Sequence, residues 1–401
     1  MHSQVIARLL ENLKNNTGDL APTMLRSGAD FYTDIAAAET EHKLFFSSGY
    51  HLLALSSDIP DSGSFFLSSI ADTNVILTRD SDMQFRAYHN VCSHRGNIVE
   101  KRLSGNTENF TCRFHRWSYG LDGRLVTIPN NSEIGEVDKT CDGLVEFQSV
   151  EINGMLWVSL DNADVEIDVD QLACKEFMND MKDIDLSKFV NVGSYQCTSK
   201  SNWKIALEGF GETHHFQWLH RKSLGSVMHS NTYTFDAFGP DYRLCGARRE
   251  NRAAATAETD TLSLYDYSFV VWYIFPNTIV IPTLDSFYLM RIYPVDKKTN
   301  EHAAYISFYS PSDVDQLDNK DLEGIRKYNE TADKKLEEHA TVAMMFASIV
   351  EDEDYPLYEP MQKSYESHLT RGALLGRNEP ALQHLHTVIR AALSLPPAIE
   401  I

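Results

Sequence analysis

The chain has 401 residues, of which 43% are hydrophobic and 23% are charged, and its formal net charge is -21. This length predicts two domains, and the composition is typical of a soluble globular protein. The acidic balance argues against nucleic acid or an anionic membrane as a partner, because both require a basic protein surface. No apolar run has the length of a signal peptide or of a bilayer span, so we expect a cytoplasmic protein with no membrane contact.

The first half of the chain predicts a short helix followed by a small β-domain. Residues 30–46 form a leading segment with a short helix rich in Ala and Glu. From about Gly49 to Leu160, β-rich runs such as Asn74–Thr78 and Met155–Leu160 are separated by Gly, Asp and Ser. This pattern is typical of an antiparallel β-domain that carries loops at one end. An Asp-rich linker is predicted from Asp161 to about Asp185.

Two loops in this β-domain carry a thiol and an imidazole each, Cys92 with His94 and Cys112 with His115, with seventeen residues between the pairs. A Rieske [2Fe–2S] centre uses this set, two Cys on one iron and two His on the other. Structural zinc is the main alternative, but zinc fingers usually pair Cys with Cys and His with His along the chain. A Cys92–Cys112 disulfide is a minor alternative. We expect reduced thiols at the other cysteines, Cys141, Cys174, Cys197 and Cys245.

The second half of the chain predicts a buried sheet and two helices. β-branched and aromatic runs predict strands at Ser268–Phe275, Thr278–Ile281 and Ala303–Tyr309. The stretch Gln316–Val350 has few Gly or Pro and abundant Glu, Lys and Ala, which favours a helix. A last helical pattern covers Glu379–Leu393.

The residues that follow each loop pair carry a family resemblance. His94-Arg95-Gly96-Asn97 and His115-Arg116-Trp117-Ser118-Tyr119-Gly120 resemble the cluster loops of Rieske non-haem iron oxygenases, the terminal (alpha) components of ring-hydroxylating dioxygenases. Two positions depart from the family, Arg113 where many members have Pro and Arg116 where many have Gly. Neither supplies a ligand, but both could alter hydrogen bonding around the sulfurs.

The resemblance implies an α+β fold in which a small antiparallel β Rieske domain precedes a larger catalytic domain with a central antiparallel sheet flanked by helices. The implied boundaries are an N-terminal segment at 1–45 that packs on the catalytic domain, the Rieske domain at 46–162 and the catalytic domain at 163–401. The implied cofactors are the [2Fe–2S] cluster and a mononuclear Fe(II).

A candidate for the iron site follows Asn202-Trp203-Lys204. In the family, a carboxylate is followed after two residues by His and after four more by a second His, and Glu212, His215 and His220 fit this register. His214 does not fit it. Two His five residues apart do not share one face of an ideal helix, so we expect a π-bulge or a distorted turn.

The third iron ligand should be a carboxylate, because 2-His-1-carboxylate coordination leaves open positions on Fe(II). The acidic segment from Glu351 onward resembles a family segment in which the ligand Asp is followed eight residues later by Gln. Counting back from Gln362 selects Asp354. Asp352 is the alternative ligand, Glu351 and Glu353 are less favoured, and a solvated acidic helix end is the interpretation without metal.

The resemblance gives Glu212 a bridging role instead of a ligand role. In the family this carboxylate links a catalytic His of one subunit to a cluster His of its neighbour, which would join His215 to His115 of an adjacent copy. Such a link requires a head-to-tail homo-oligomer, a trimer or a dimer of trimers.

The implied function is that of an oxygenase that hydroxylates, cis-dihydroxylates or oxidatively demethylates a small organic substrate. The chain has no flavin or nicotinamide fingerprint, so a separate reductase or ferredoxin is expected to supply the electrons. Aromatic substrates are slightly favoured. Glu212, where Asp is commoner, is characteristic of the branch that oxidises quaternary ammonium compounds, which are therefore the second substrate class. An electron-transfer protein without oxygenase activity is the alternative of another class.

Overall fold

The protein is described by a computed structural model that covers residues 2–129, 131–139, 141–162, 167–249, 263–283, 286–311, 346 and 349–401. The chain divides into two compact units. We call Lys43–Leu172 with Met178–Val190 the small unit, and Met1–His42, Ala173–Phe177 and Asn191–Ile401 the large unit.

The strands of the described residues, in chain order, are β1 (Leu25–Ser27), β2 (Tyr50–Leu55), β3 (Ser64–Ile70), β4 (Thr73–Arg79), β5 (Phe85–His89), β6 (Ser104–Asn106), β7 (Asn109–Thr111), β8 (Ser118–Gly120), β9 (Leu125–Thr127), β10 (Glu146–Ile152), β11 (Met155–Asn162), β12 (Phe189–Ser199), β13 (Met228–Phe238), β14 (Asp241–Arg248), β15 (Ser268–Ile274), β16 (Thr278–Pro282), β17 (Phe287–Pro294), β18 (His302–Pro311), β19 (Ala373–Leu375) and β20 (Ile399–Glu400).

The α-helices of the described residues are α1 (His2–Asn15), α2 (Asp30–Thr33), α3 (Ile35–Glu41), α4 (Asn131–Ile134), α5 (Lys175–Asp183), α6 (Trp203–Glu208), α7 (Leu224–Val227), α8 (Leu264–Tyr267), α9 (Tyr355–Glu366) and α10 (Pro380–Ala392). Two π-helices cover His42–Phe46 and Ile349–Asp354.

The small unit is built on antiparallel β-structure. Its main sheet has seven strands in the order β2-β11-β10-β5-β4-β3-β6, and a second sheet has the order β7-β8-β9. Cys92 and Cys112 belong to the same buried apolar cluster as Phe65, Ile76 and Tyr88 from the main sheet. The two thiol-bearing loops are therefore anchored in the hydrophobic core of this unit.

The large unit is built on a seven-stranded sheet in the order β12-β18-β17-β16-β15-β14-β13. From β13 to β18 each strand pairs antiparallel with the next, as in the registers Cys245↔Val270 and Val280↔Leu289. β15 and β16 are almost entirely buried, which explains their continuous apolar runs. A small sheet in the order β19-β1-β20 joins segments near both ends of the chain.

Most of the predicted architecture is confirmed. The α+β fold, the small antiparallel domain and the central antiparallel sheet are present, and the five predicted strands correspond to β4, β11, β15, β16 and β18. The last predicted helix is α10, and the leading segment contains α2 and α3. The helix predicted at Gln316–Val350 lies outside the described residues except at 346 and 349–350.

Two segments differ from the prediction. The Asp-rich linker contains α5, in which Phe177 and Met181 are fully buried at the i, i+4 spacing of one helix face. The N-terminal residues form α1, which buries Val5, Ile6 and Leu9.

No helix of the described residues combines the length and the hydropathy that crossing a membrane requires.

Candidate metal centres

The two loops of the small unit have the same backbone pattern. The N–H of Gly96 donates to Cys92 O over 2.9 Å, and the N–H of Arg116 donates to Cys112 O over 3.0 Å. Both residues have positive φ, +72° at Gly96 and +62° at Arg116. The departure from the family at Arg116 therefore places a side chain where the backbone favours glycine.

The four predicted cluster residues, Cys92, His94, Cys112 and His115, which we call the loop pair, lie together. Both thiols are buried and unbridged, and the two imidazole ring centroids are 4.7 Å apart. His94 Nδ1 is buried and has no hydrogen-bond partner among the described residues. An unpaired imidazole nitrogen beside two buried thiols fits a metal ligand, because buried polar atoms otherwise require a partner.

Hydrogen bonds surround the two sulfurs, and those at Cys112 favour the thiolate form. Tyr119 Oη lies 3.1 Å from Cys92 Sγ, and Asn97 Nδ2 donates to Cys112 Sγ over 3.6 Å. Burial raises the pKa of the Cys112 thiol, but the hydrogen bonds from Asn97 and from backbone N–H groups outweigh it and leave the pKa below its ordinary value. A site that stabilises thiolate suits a metal centre, since thiolate is the ligand form of Cys.

In the large unit, His215, His220 and Asp354, which we call the facial group, offer ligand atoms that all lie within 4.8 Å of one another. His220 Nε2 is 3.2 Å from Asp354 Oδ1, and the two imidazole centroids are 4.9 Å apart. These are the three residues that the sequence analysis selected as iron ligands. Asp352, the alternative carboxylate, is exposed and lies outside the group.

Local distortions of the backbone bring these three side chains together. His215 lies in a single 3₁₀ turn, His214–Gln217, and its carbonyl accepts the N–H of Leu219 over 2.8 Å. The distorted turn expected from the spacing of the two His is thus confirmed. Asp354 is the last residue of the second π-helix and directly precedes α9.

Glu212 lies against the first of these imidazoles. Its Oε1 is hydrogen-bonded to His215 Nδ1, and its Oε2 accepts the backbone N–H of His214. Burial alone would raise the pKa of Glu212, but the hydrogen bonds from His215 and from the backbone lower the pKa by more than burial raises it. The pKa of Glu212 is therefore below its usual value. Glu212 therefore remains a carboxylate and leaves the Nε2 atom of His215 as the free ligand atom.

A buried hydrogen bond joins the two segments that carry the facial group. The N–H of Asn202 donates to Gln362 Oε1 over 3.0 Å, and Asn202 Oδ1 accepts the N–H of Lys204 as the cap of α6. Lys204 forms an ion pair with Glu41, and both side chains are 2% exposed. The motif Asn202-Trp203-Lys204 thus fixes α6 against α9. The sequence alone does not show that Gln362 accepts a hydrogen bond from this motif.

A cavity opens beside the facial group, with an empty volume of about 520 Å³ that includes its open mouth. Strands β14 to β16 supply one wall, with Leu244, Phe269, Val271 and Ile281 among its residues. Apart from the facial group, Glu212 and Thr213 are the polar residues of the described lining, and this lining contains no Lys or Arg. Sequence reasoning missed these positions, which only the strand register brings together.

Comparisons with known proteins agree with this arrangement. Residues 186–395 match the family described as "Ring hydroxylating alpha subunit (catalytic domain)", and residues 49–143 match the "Rieske [2Fe-2S] domain". The large oxygenase component of the naphthalene 1,2-dioxygenase system of Pseudomonas aeruginosa is 30% identical over 47% of this chain and 43% of that protein. The oxygenase subunit of glycine betaine monooxygenase from Chromohalobacter salexigens is 26% identical over 55% of this chain and 48% of that protein. These matches span less than half of the length of the curated relatives.

Solved structures share the fold. The quaternary ammonium Rieske monooxygenase CntA with L-carnitine has a TM-score of 0.70 at 18% identity, over 92% of this chain and 95% of that chain. Naphthalene 1,2-dioxygenase with bound indole also has a TM-score of 0.70 at 18% identity, over 93% of both chains. The Rieske match favours a [2Fe–2S] cluster over zinc at the loop pair. Because the catalytic-domain match covers more than half of the sequence, the chain belongs to the ring-hydroxylating alpha subunit family, with a Rieske [2Fe–2S] domain before its mononuclear-iron catalytic domain.

Proposed function

We propose that the protein is a terminal oxygenase in which the loop pair holds the [2Fe–2S] cluster and the facial group holds Fe(II). One observation carries this proposal. In a chain that has the Rieske loop pair, the ligand atoms of two imidazoles and one carboxylate also lie within 4.8 Å of one another, beside an apolar cavity. An electron-transfer protein would have no use for the second group, so the oxygenase interpretation is preferred.

When bound, the cluster would supply electrons and the iron would activate O₂ for hydroxylation, cis-dihydroxylation or oxidative demethylation. The facial group would hold the iron through one ligand atom from each of its three side chains, and such a 2-His-1-carboxylate set would leave positions for O₂ and substrate. The apolar cavity wall excludes water from the substrate that would lie there. A separate reductase or ferredoxin is the proposed electron source.

Glu212 is the proposed bridge between metal centres of two copies of the chain. Its bond to His215 Nδ1 and its partial exposure, 15% of the side chain, leave the carboxylate available for a second hydrogen bond. The partner in this proposal is His115 of an adjacent copy, in a head-to-tail homotrimer or a dimer of such trimers. A carboxylate between two imidazoles would orient both rings.

The proposed substrate is a neutral aromatic compound. The described cavity lining is apolar and includes Phe210, Phe216, Phe269 and Phe346, which suit an aromatic ring. A substrate with its own carboxylate, such as carnitine, would need a cationic partner, and the described lining has no Lys or Arg. Aromatic compound catabolism is therefore the proposed role.

A methylated ammonium compound is the second candidate substrate. Two observations favour it: Glu212 in the place where Asp is commoner, and the sequence similarity to the oxygenase subunit of glycine betaine monooxygenase. Phenylalanine rings in the cavity could also contact a quaternary ammonium group through cation–π attraction.

Iron content and coupled oxygen uptake test these proposals. Three irons per chain are expected, with one lost and the visible Rieske absorption kept in His215→Ala and His220→Ala. Two irons in the wild type, with no mononuclear Fe(II) signal, would leave only the electron-transfer interpretation. With a surrogate reductase, neutral aromatic hydrocarbons should stimulate oxygen uptake with product formation, and uptake driven only by betaines or carnitine would reverse the substrate assignment.

A further inference from the structure

A second carboxylate contacts the facial group without belonging to it. Glu353 Oε2 lies 2.7 Å from His220 Nδ1, and it also accepts the hydroxyl of Ser223 over 3.2 Å. The His220 side chain is 1% exposed, and that of Glu353 is 33% exposed. Glu353 thus reaches a buried imidazole from the protein surface.

The geometry determines which nitrogen of His220 is free to bind a metal. An imidazole N–H that donates to Glu353 must be at Nδ1, so in the neutral ring the lone pair is at Nε2. Nε2 is the atom that lies 3.2 Å from Asp354 Oδ1. Glu353 and Asp354 therefore contact different nitrogens of one ring, and Glu353 lies away from the point where the ligand atoms converge.

We infer that Glu353 is a positioning residue that holds His220 in the tautomer and orientation required for binding iron through Nε2. This inference rests on the proposed iron site. It completes a symmetric arrangement, because His215 already has Glu212 at its Nδ1 atom. Each candidate imidazole ligand would then have its own carboxylate partner, which raises its basicity and fixes its ring.

Ser223 strengthens this arrangement by connecting both partners. Its backbone N–H donates to His220 O over 3.0 Å, and its hydroxyl lies 3.2 Å from Glu353 Oε2 and 3.3 Å from His220 O, so that it can donate to either acceptor. The hydroxyl directs the carboxylate to the ring edge, so rotation of Glu353 into solvent would break two hydrogen bonds at once.

The test measures metal binding instead of turnover. The mononuclear site is emptied by a chelator that leaves the cluster in place, and Co(II) is titrated in competition with an indicator dye. Glu353→Ala should bind Co(II) about 10–100-fold more weakly than the wild type. Glu353→Gln should recover part of the loss, because its amide oxygen still accepts the Nδ1 proton. Asp352→Asn is the matched control, an exposed acid in the same π-helix, and should bind as the wild type does.

A second readout reports on geometry. The visible ligand-field spectrum of bound Co(II) should change in Glu353→Ala and remain unchanged in Asp352→Asn, while the Rieske absorption serves as a folding control in both. If Glu353→Ala does not fold, Glu353→Gln and Ser223→Ala replace it, each with a smaller loss of affinity.

His220→Ala separates the two levels of the argument. If His220→Ala binds Co(II) as tightly as the wild type, the proposed iron site itself is wrong. If His220→Ala abolishes binding while the Glu353 variants keep wild-type affinity and spectrum, only the positioning role is overturned.

Discussion

Gln362→Met tests whether the buried bond between Asn202 and Gln362 stabilises the large unit. The variant keeps the length of the side chain and removes its acceptor. Asn202 and Gln362 are 2% and 1% exposed, and the bond between Asn202 N and Gln362 Oε1 is 3.0 Å long. A buried N–H left without a partner costs about 1–3 kcal/mol, so the free energy of unfolding should fall by about that amount.

The loss is measured from urea unfolding curves, and amide hydrogen exchange at Asn202 reports on the bond directly. Gln362 Nε2 also donates to Glu366 Oε1 over 3.1 Å on the exposed side of α9. Glu366→Ala removes this second bond together with the exposed bond from Asn300 Nδ2 to Glu366 Oε1, which is 2.9 Å long. Both lie at the surface, so the free energy of unfolding should change by no more than about 0.5 kcal/mol. Equal losses in both variants, or unchanged exchange at the Asn202 amide in Gln362→Met, would refute the reasoning.

Three further predictions concern strain, packing and pH. Arg116→Gly should raise the free energy of unfolding of the small unit by about 0.5–1 kcal/mol, because φ is +62° at this position. Arg113→Gly is the control, because Arg113 has a negative φ, and it should not stabilise the unit. A gain in stability in both variants would contradict the assignment to backbone strain. Gly225→Ala should weaken Co(II) binding about tenfold or more, since a Cβ there would clash with the carbonyl oxygen of Phe216 and would lie 3.0 Å from that of His220, so the backbone between the two candidate His ligands would have to shift. Wild-type affinity would show that the turn tolerates the methyl group. Burial lowers the pKa of His302 to about 4, so its stabilising contribution, complete above the unfolded pKa of about 6.5, should be lost as pH falls toward 4, in total about 3 kcal/mol. The urea midpoint should fall less steeply over this range in His302→Gln, and parallel pH profiles would argue against His302 as the cause.

The parts of the fold that sequence predicted best are those with a strong local pattern. β15 and β16 are buried on both faces, so their residues are continuously β-branched or aromatic and stand out without a partner strand. α5 is difficult to predict because its sequence is rich in Asp and Lys, and its buried apolar residues, Phe177 and Met181, resemble isolated apolar positions in a linker. The helix α1, at the start of the chain, is difficult to predict for the same reason, because only Val5, Ile6 and Leu9 are buried in it.

The candidate site was accessible from sequence only where a motif fixes the spacing. The register of Glu212, His215 and His220 and the count back from Gln362 to Asp354 selected residues that the structure brings together. The cavity wall was not accessible, because its residues lie on different strands and face one space only through the sheet register. Sequence offers Glu353 only as a less favoured ligand, since it does not show which edge of an imidazole a carboxylate contacts.

In the π-helix at Ile349–Asp354, the positions of the carboxylates beside the proposed iron site depend on the number of residues in the turn as well as on residue type. A helix turns by about 100° per residue, so deleting one residue from this turn would rotate the acidic pair relative to α9 by about that angle. Both nitrogens of His220 would then lose their carboxylates together, although no acidic residue had been replaced. Among homologous chains, this turn should therefore tolerate many substitutions at its exposed positions and no insertion or deletion.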